Sequence, residues 1–438
     1  MFPRRSLLAA LAAATLLAGC GDTARLSPSR SIGPAPELPP PRSTLLPTVE
    51  VAEAVGWPAG AAPVAAAGLR ANAFATGLDH PRWLHVLPNG DVLVAESAAP
   101  PKPPGMEPRG LRAMFMRMFM REAGSAVPSA NRISLLRDAD GDGVAEVRTP
   151  FLTGLASPFG MALVGDTLYV ANADALLAFP YRDGATRLDA AGRTIVRLPA
   201  ERNHHWTKSL VASPDGRRLY VGVGSNSNVA DHGMGEEVGR AAIWEIDPAT
   251  GAHRVFAGGL RNPVGIAFRP GSADLYTVVN ERDELGSDLV PDYLTRVQDG
   301  GFYGWPWSYW GQHVDRRVEP ARPDMVARSI TPDYALGNHV APLGLAFAEG
   351  ARLGPAFASG AFVGLHGSWN RRPLSGYKVV FVPFAGGRPS GTPIEVLTGF
   401  LDARERAMGR PVGVAIARDG ALLVADDVGN AVWRVSRG

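Results

Sequence analysis

Two adjacent histidines stand directly before an apolar strand segment, where a side chain is well placed to act as a base. The stretch Asn203-His204-His205-Trp206-Thr207-Lys208 precedes the apolar residues that begin at Leu210. An uncharged imidazole can take a proton from a hydroxyl group near neutral pH. His204 and His205 are therefore both candidates for a general base, and a structural role for either histidine is the alternative.

A second polar pair opens another apolar strand, in the stretch Leu260-Arg261-Asn262-Pro263-Val264-Gly265. The guanidinium of Arg261 is planar and always charged, which suits a carboxylate or quinone oxygen, and Asn262 can both donate and accept a hydrogen bond. The pair therefore predicts a site for an oxygen-rich ligand. The alternative is a pair that only stabilises a turn.

Three further stretches offer oxygen ligands for a calcium ion, which accepts carboxylates and backbone carbonyls. The turn Gly304-Trp305-Pro306 can aim two carbonyl oxygens at one point. The acidic residues Glu281, Asp283 and Glu284 either hold a second, structural calcium or brace that turn. The run Asp138-Ala139-Asp140-Gly141-Asp142-Gly143-Val144-Ala145-Glu146 is either a calcium loop or a solvated hairpin turn.

A repeating strand unit positions these residues. Each copy has a Gly or Pro turn, an apolar strand, a short turn and a second apolar strand, and six copies lie at residues 77–95, 154–171, 209–222, 261–278, 341–364 and 410–425. Such units bury both faces and leave few exposed edges when they are arranged around an axis. We therefore predict an all-β fold, a six-bladed β-propeller with loop and helix insertions, in which residues 70–74 add a strand to the last blade. An open array of β-sandwiches explains the regular spacing less well.

The polar loops within this framework resemble those of the soluble glucose/sorbosone dehydrogenase family, also called aldose sugar dehydrogenases. That family has an Arg-Asn-Pro-x-Gly strand, a loop of Asp, Glu and Asn, and a Gly-Gly-x-Tyr-Gly-Trp-Pro turn, which are similar here to residues 261–265, 280–284 and 300–306. The resemblance spans roughly residues 70–438. It implies a six-bladed propeller that uses pyrroloquinoline quinone (PQQ) and Ca²⁺ to oxidise an aldose or a sorbosone-like sugar at the anomeric or aldehyde carbon.

The resemblance also implies roles for particular residues. His205 aligns best with the family's catalytic base. PQQ contacts are implied for Arg261 and Asn262, and for Arg371 or Arg372 in the stretch that begins at His366. Carbonyls from the turn formed by Gly304, Trp305 and Pro306 are implied to hold the calcium of the cofactor site. A lysine used by the glucose-type branch has no counterpart among residues 325–360, which favours the sorbosone-like or general aldose branch.

Two other classes of function compete with a sugar dehydrogenase. A calcium-dependent lactonase on the same fold would hold its ion on the axis with Glu, Asn and Asp side chains, whereas the strand starts here offer Arg and His. A non-catalytic binding propeller would not explain why His205, Arg261 and Arg371 converge. Because fold alone cannot choose among these classes, the site residues carry the prediction.

The beginning of the chain predicts export. Arg4 and Arg5 precede an apolar run at residues 7–18. The run ends in Leu17-Ala18-Gly19-Cys20, which is typical of a bacterial lipoprotein signal in residues 1–19. We expect a periplasmic protein held to a membrane by a lipid on Cys20, or a secreted protein if that signal is not used. Residues 20–65 are rich in Pro, Ala and Ser and predict a tether, so that the catalytic propeller occupies residues 66–438.

Composition limits the possible partners. The formal net charge of +2 gives no reason to expect nucleic acid binding. The motifs for haem attachment, nicotinamide binding and a phosphate loop do not occur, so an external electron acceptor is expected.

Two insertions interrupt the repeat. Residues 111–121 have helical apolar spacing and form either a lid or membrane contact, or a helix packed on the propeller rim. Residues 306–338 are expected to form a loop over the active-site end.

Overall fold

Six antiparallel sheets form a ring, which confirms the predicted six-bladed β-propeller. The computed structural model describes residues 21–44, 48–103, 106 and 110–438. Neighbouring innermost strands contact one another around the whole ring and line a central channel. In blade order these strands are β4 (Pro81–Val86), β8 (Met161–Val164), β12 (Leu210–Ala212), β16 (Pro263–Phe268), β22 (Pro342–Phe347) and β27 (Pro411–Ile416).

The second strand of each blade is almost entirely buried, because it lies between the faces of two neighbouring blades. Most of its residues are therefore apolar, without a regular alternation with polar ones. The second strands are β5 (Val92–Glu96), β9 (Thr167–Ala171), β13 (Leu219–Val223), β17 (Leu275–Val279), β23 (Gly360–Leu365) and β28 (Leu422–Asp426).

The outer strands complete each sheet in antiparallel order. The third strands are β6 (Arg132–Arg137), β10 (Ala175–Pro180), β14 (Ala242–Ile246), β18 (Pro291–Val297), β24 (Lys378–Ala385) and β29 (Ala431–Arg437). The fourth strands are β7 (Val147–Leu152), β11 (Arg193–Arg197), β15 (His253–Gly258), β21 (Tyr334–Asn338), β26 (Ile394–Thr398) and β3 (Leu69–Thr76).

The ring closes as the sequence predicts. β3 comes from the start of the propeller and pairs with β29 near the end of the chain, from Thr76 opposite Ala431 to Leu69 opposite Arg437. The closing sheet thus contains both ends of the repeat, which leaves no open blade edge between first and last copies.

Glycines in the innermost strands let adjacent blades approach closely. A Cβ atom at Gly265 would lie 2.8 Å from the carbonyl oxygen of Leu343, and one at Gly413 would lie 2.8 Å from that of Arg82. At Gly344 it would lie less than 3.0 Å from the carbonyl oxygen of Val412. The recurring Pro-x-Gly at these strand starts is therefore a packing requirement of the ring.

The Pro-rich segment does not form the free tether that its composition predicts. Its described residues lie along the propeller, where β1 (Ile32–Gly33) pairs with β21 and β2 (Val64–Ala65) pairs with β26. Trp57 donates from Nε1 to Asp426 Oδ2 at 2.7 Å and packs edge-on against Trp433. Frequent proline excludes a helix or a central strand, but it permits extended chain at sheet edges, and the composition does not distinguish the two outcomes.

Insertions extend two blades. Between β5 and β6 the chain forms α1 (Gly110–Glu122), close to the predicted 111–121. Between β18 and β21 lie the short hairpin of β19 (Ser308–Tyr309) and β20 (His313–Val314) and the helix α2 (Pro323–Ala327). The remaining short elements are β25 (Arg388–Pro389) and 3-10 turns at Pro28–Ser31, Met234–Glu237 and Pro355–Phe357. Within the described ranges, no helix has the length and hydropathy of a membrane span.

Antiparallel pairing puts the start of each innermost strand and the end of each second strand on the same side of the ring. We call this side the mouth face. All of the predicted site residues, apart from the Asp138–Glu146 run, lie in loops of this face or in the insertion that packs against it.

Candidate functional site at the channel mouth

The imidazole of His205 has a defined tautomer. Its Nδ1 lies 2.8 Å from the carbonyl oxygen of Ser225 and 3.0 Å from Ser225 Oγ, which itself donates to the carbonyl oxygen of Ser227. Because a carbonyl oxygen only accepts, Nδ1 must carry the hydrogen, and Nε2 of the neutral ring keeps its lone pair. Burial, followed by the positive charge of Arg261, lowers the pKa of His205 well below 6.5. The ring is therefore uncharged at neutral pH and can act as a base through Nε2.

The structure brings His205 next to Asn262, which the sequence places 57 positions later. Gly224 lies between them, and a Cβ atom there would lie less than 3.0 Å from both Asn262 Oδ1 and His205 Cβ. The backbone N–H of Ser225 donates to the carbonyl oxygen of Arg261 at 2.7 Å. A glycine at position 224 therefore allows the histidine of blade 3 and the asparagine of blade 4 to share one side of the channel mouth.

Arg261 has a different place from the one predicted. Its Nε donates to Asn228 O, its Nη1 to Glu281 O and Asn280 O, and its Nη2 to Asn228 Oδ1 and Asp283 Oδ2. These contacts use all five donors of a guanidinium. Arg261 therefore fixes the loops that carry Asn228 and residues 280–283, and a cofactor contact through its side chain would require one of these bonds to be given up.

The predicted calcium turn is also occupied by protein groups. The buried guanidinium of Arg282 donates to Pro306 O at 2.7 Å and to Ser308 O at 2.6 Å. The carbonyl oxygen of Gly304 accepts a hydrogen bond from the backbone N–H of Ser308 at 2.9 Å, and Trp305 Nε1 donates to Asn228 O. Arg282 and the Ser308 N–H thus bond two of the three carbonyl oxygens that were predicted to hold calcium.

Acidic neighbours balance the buried charge of Arg282. Glu281 Oε2 lies 3.0 Å from its Nε and Asp315 Oδ2 lies 3.1 Å from its Nη1, and all three side chains are almost inaccessible to water. Glu281 thus braces the turn, which is one of the two roles considered for the acidic loop. Asp283 instead accepts hydrogen bonds from Arg261 and from Asn370 Nδ2.

Arg371 and Arg372 point to different parts of the rim. Arg371 is buried and donates to the carbonyl oxygens of Ser287 and Pro373. Arg372 forms an ion pair with Glu50 of the Pro-rich segment, at 2.5 Å between Nη2 and Oε2. Both arginines therefore hold loops of the mouth face together.

A polar cluster that the sequence did not reveal lies at the same mouth. The buried carboxylate of Asp427 forms an ion pair with Arg82 and lies 3.0 Å from His366 Nε2 and 3.6 Å from His80 Nε2. Burial alone would raise the pKa of the Asp427 carboxyl, but His366, His80 and Arg82 lower it well below its usual range. Blades 1, 5 and 6 supply these residues. The one available signal was that Asp427, like Ser225, follows the second strand of its blade.

Several buried polar atoms around the mouth have no hydrogen-bond partner among the described residues, and three of them lie on residues at the start of innermost strands. These three are Asn262 Oδ1, Arg82 Nε and Arg410 Nε. Leaving buried polar atoms unpaired is unfavourable, so such atoms are expected to have a partner. The two guanidinium donors suit carboxylate or carbonyl oxygens of a ligand, and the amide oxygen suits a hydroxyl or N–H donor of that ligand.

The acidic run in the first blade lies in the hairpin between β6 and β7, on the side opposite the mouth. Ligand atoms of Asp138, Asp140, Asp142 and Glu146 all lie within 4.8 Å of one another, and three of these residues are exposed. Backbone N–H groups of Gly141 and Gly143 donate to Asp138. The hairpin geometry is compatible with either of the two predicted roles, and it is remote from His205.

These observations define a propeller with a neutral histidine and unpaired polar groups at the mouth of its channel. The profile of the TrAA12-like family matches residues 130–293 and 321–438, so the chain belongs to that family. A PQQ-dependent pyranose dehydrogenase from Coprinopsis cinerea is 28% identical over an alignment of 334 residues that covers 62% of this chain and 45% of that protein. The chain thus spans less than half the length of this curated relative.

Two solved structures have the same fold. The holo PQQ domain of the Coprinopsis cinerea pyranose dehydrogenase superposes with a TM-score of 0.69 at 20% identity, covering 89% of this chain and 100% of that one. The calcium structure of a carbohydrate-active enzyme of family AA12 from Trichoderma reesei also has a TM-score of 0.69 at 20% identity, covering 89% and 99%. At this identity the two structures show that the six-bladed fold is shared.

Proposed function

We propose that this protein is a PQQ-dependent sugar dehydrogenase that oxidises an aldose or a sorbosone-like sugar at its anomeric or aldehyde carbon. The observation that carries the proposal is the neutral His205, held in one tautomer beside the unpaired Asn262 oxygen. Membership of the TrAA12-like family and the PQQ-dependent relative from Coprinopsis cinerea support the choice of cofactor.

The groups at the mouth fit an anionic quinone. Arg82 and Arg410 each have an unpaired buried donor that would hold a carboxylate or quinone oxygen of PQQ. The amide of Asn262 would offer the cofactor an acceptor at Oδ1 and a donor at Nδ2. When bound, PQQ would supply the two-electron acceptor that the protein's own side chains lack. Arg261, Arg371 and Arg372 would support the site indirectly. Protein oxygens accept their hydrogen bonds, and each arginine fixes a loop of the mouth face.

His205 would remove the proton from the sugar hydroxyl group. Its Nε2 bears the lone pair, and the carbonyl oxygen of Ser225 stabilises the Nδ1–H of the imidazolium that forms. The Arg261 charge and the burial of the ring keep His205 unprotonated before the reaction. Removal of the hydroxyl proton would let the C–H bond of the same carbon break as a carbonyl group or lactone forms. The hydrogen would leave with both bonding electrons, as hydride, and PQQ when bound would supply the two-electron acceptor.

Calcium dependence is part of the proposal because the Trichoderma reesei relative has a calcium structure. Of the predicted ligands Gly304, Trp305 and Pro306, the carbonyl oxygens of Gly304 and Pro306 already accept hydrogen bonds from the Ser308 N–H and from Arg282. We therefore assign no step of the reaction to calcium through this turn.

The proposal places the protein outside the cytoplasm. The lipoprotein-like ending at Cys20 and the apolar run before it support a lipid anchor in a bacterial membrane. Electrons would leave to an external acceptor. A calcium lactonase is less well supported, because among the described residues the one metal-compatible cluster of His, Asp or Glu lies at Asp138–Glu146, away from the axis.

Binding of PQQ tests the proposal before any substrate is chosen. The purified protein is titrated with PQQ in a calorimeter, once with calcium and once without it. The titrations should show saturable binding. Asn262→Asp puts a negative charge where the unpaired oxygen lies and should weaken binding at least tenfold, whereas Gln312→Glu on the exposed hairpin should leave it unchanged. Absence of PQQ binding at micromolar concentrations under both conditions would reject the proposed cofactor.

A further inference from the structure

The helix α1 carries three exposed methionines, Met114, Met118 and Met120, at the mouth face. We propose that it binds the surface of a lipid bilayer with anionic head groups, and so holds the channel mouth towards the membrane. The inference concerns location and orientation, and it stands whether or not the proposed sugar oxidation is correct.

Large apolar side chains on α1 face water. Met114 and Met118 are each 50% exposed and Met120 is 39% exposed. Large apolar side chains are normally buried, and a group of them on one projecting helix marks an interaction site. Met114 and Met118 are one turn apart, so they lie on the same side of the helix.

Positive charge accompanies this apolar surface. Arg117 and Arg121 are also one turn apart, their side chains are exposed, and they flank the two methionines. The whole insertion, residues 99–131, has five basic and two acidic residues, although basic and acidic residues are almost balanced over the full chain. A basic, methionine- and phenylalanine-rich helix suits the boundary between anionic head groups and acyl chains.

The position of the chain's first described residues gives an independent reason to choose a membrane. Asp22 accepts a hydrogen bond from the Ser287 N–H at 2.8 Å, and the Ala24 N–H donates to Arg372 O. Ser287 and Arg372 lie in loops that follow β17 and β23, on the mouth face, and α1 follows β5 on that same face. The first described residues, which directly follow Cys20 in the sequence, therefore lie on the same face as α1.

A hydrogen bond connects the two elements directly. The Ala54 N–H of the N-terminal segment donates to the carbonyl oxygen of Glu122 at the end of α1, at 2.8 Å. A membrane attached near residue 20 would thus meet α1 as a second contact. Stable attachment commonly requires two such signals, because a single anchor gives only reversible binding.

The chain's single cysteine makes a site-specific test possible. Cys20→Ser removes the acylation site, and Met118→Cys in the same full-length chain provides one thiol for an environment-sensitive NBD label. The matched control has Val144→Cys, an exposed residue in the β6–β7 hairpin on the opposite side of the ring. Both labelled proteins retain residues 1–19, so vesicle attachment through that segment is common to both.

Vesicles of phosphatidylcholine with 30% phosphatidylglycerol should shift the emission of the label at position 118 to the blue and expose it to quenchers in the bilayer. The label at position 144 should remain in water. Arg117→Glu with Arg121→Glu should reduce partitioning at least tenfold. The proposal fails if the label at position 118 stays in water on anionic vesicles, or if pure phosphatidylcholine gives the same shift. It also fails if an added acidic protein shields this label from water and anionic vesicles do not. None of these readouts depends on turnover.

Discussion

The Nδ1 atom of His205 lies 2.8 Å from the carbonyl oxygen of Ser225, and this contact fixes which nitrogen can act as a base. The carbonyl can only accept, so the hydrogen is on Nδ1 and the lone pair is on Nε2. The second strand of blade 3 ends just before Ser225, so the position of the base is set by the sheet itself.

Replacement of His205 by Asn should abolish most of the proposed activity. A positioned general base contributes roughly 10²- to 10⁴-fold to a rate, so we expect kcat to fall by about that factor while PQQ binding persists. His204→Asn is the matched control, since the His204 ring packs edge-on against that of His205 and its replacement leaves the Ser225 contact of His205 in place. Steady-state kinetics would contradict the assignment if the His204 variant lost activity and the His205 variant kept it.

The pH profile should reflect the lowered pKa of His205. A base must be unprotonated, and a pKa well below 6.5 keeps it so as the pH falls through 6.5. We expect kcat/KM to hold through that range and to fall only at more acid pH. Burial is the main cause and the Arg261 charge the next, so Arg261→Gln should move the acid limb upwards. An acid limb at or above pH 6.5 in the unmodified protein would contradict the described environment.

Gly224→Ala should damage the site more than the fold. The added Cβ would lie less than 3.0 Å from Asn262 Oδ1 and His205 Cβ, so both side chains would have to move. A displacement of about 1 Å at a reacting group can cost roughly 100-fold in rate. Gly235→Ala meets no atom within 4 Å and should behave as the unmodified protein. Equal activity of the two variants would show that the contact between blades 3 and 4 is not needed.

Arg282→Ala should destabilise the protein strongly. The substitution leaves Glu281 and Asp315 as buried carboxylates without their cation and frees the oxygens of Pro306 and Ser308. Breaking a buried ion pair costs about 3–5 kcal/mol. Arg322→Ala removes an exposed pair with Asp324 and should cost less than about 1 kcal/mol. Urea unfolding compares the two, and similar midpoints would show that Arg282 does not support the turn.

Local pattern was enough to predict the scaffold and the place of His205 in it. The six strand pairs, the closing strand at residues 70–74 and the place of His205 before an innermost strand all depend on spacing over a few residues. The family resemblance then selected His205 over His204. These features are encoded by turns and apolar runs that act over short distances along the chain.

Contacts between distant segments were not predictable in the same way. Asp427, Arg82 and His366 meet only because the ring closes, and no spacing in the sequence brings residues 82, 366 and 427 together. Arg261 matches a ligand-binding motif, yet the oxygens that use its five donors come from loops at residues 228 and 280–283. The composition of the Pro-rich segment did not reveal its packing for a related reason. The strands with which it pairs lie at sheet edges far away in the sequence.

Dye reduction by the reconstituted protein is the most direct test of the proposed function. The purified chain would receive PQQ and calcium and then a panel of aldoses and sorbosone, with His205→Ala measured in parallel. The account predicts sugar-dependent reduction that requires PQQ and is lost in the variant. Reduction that continues unchanged in His205→Ala, or its absence with every sugar although PQQ binds, would contradict it.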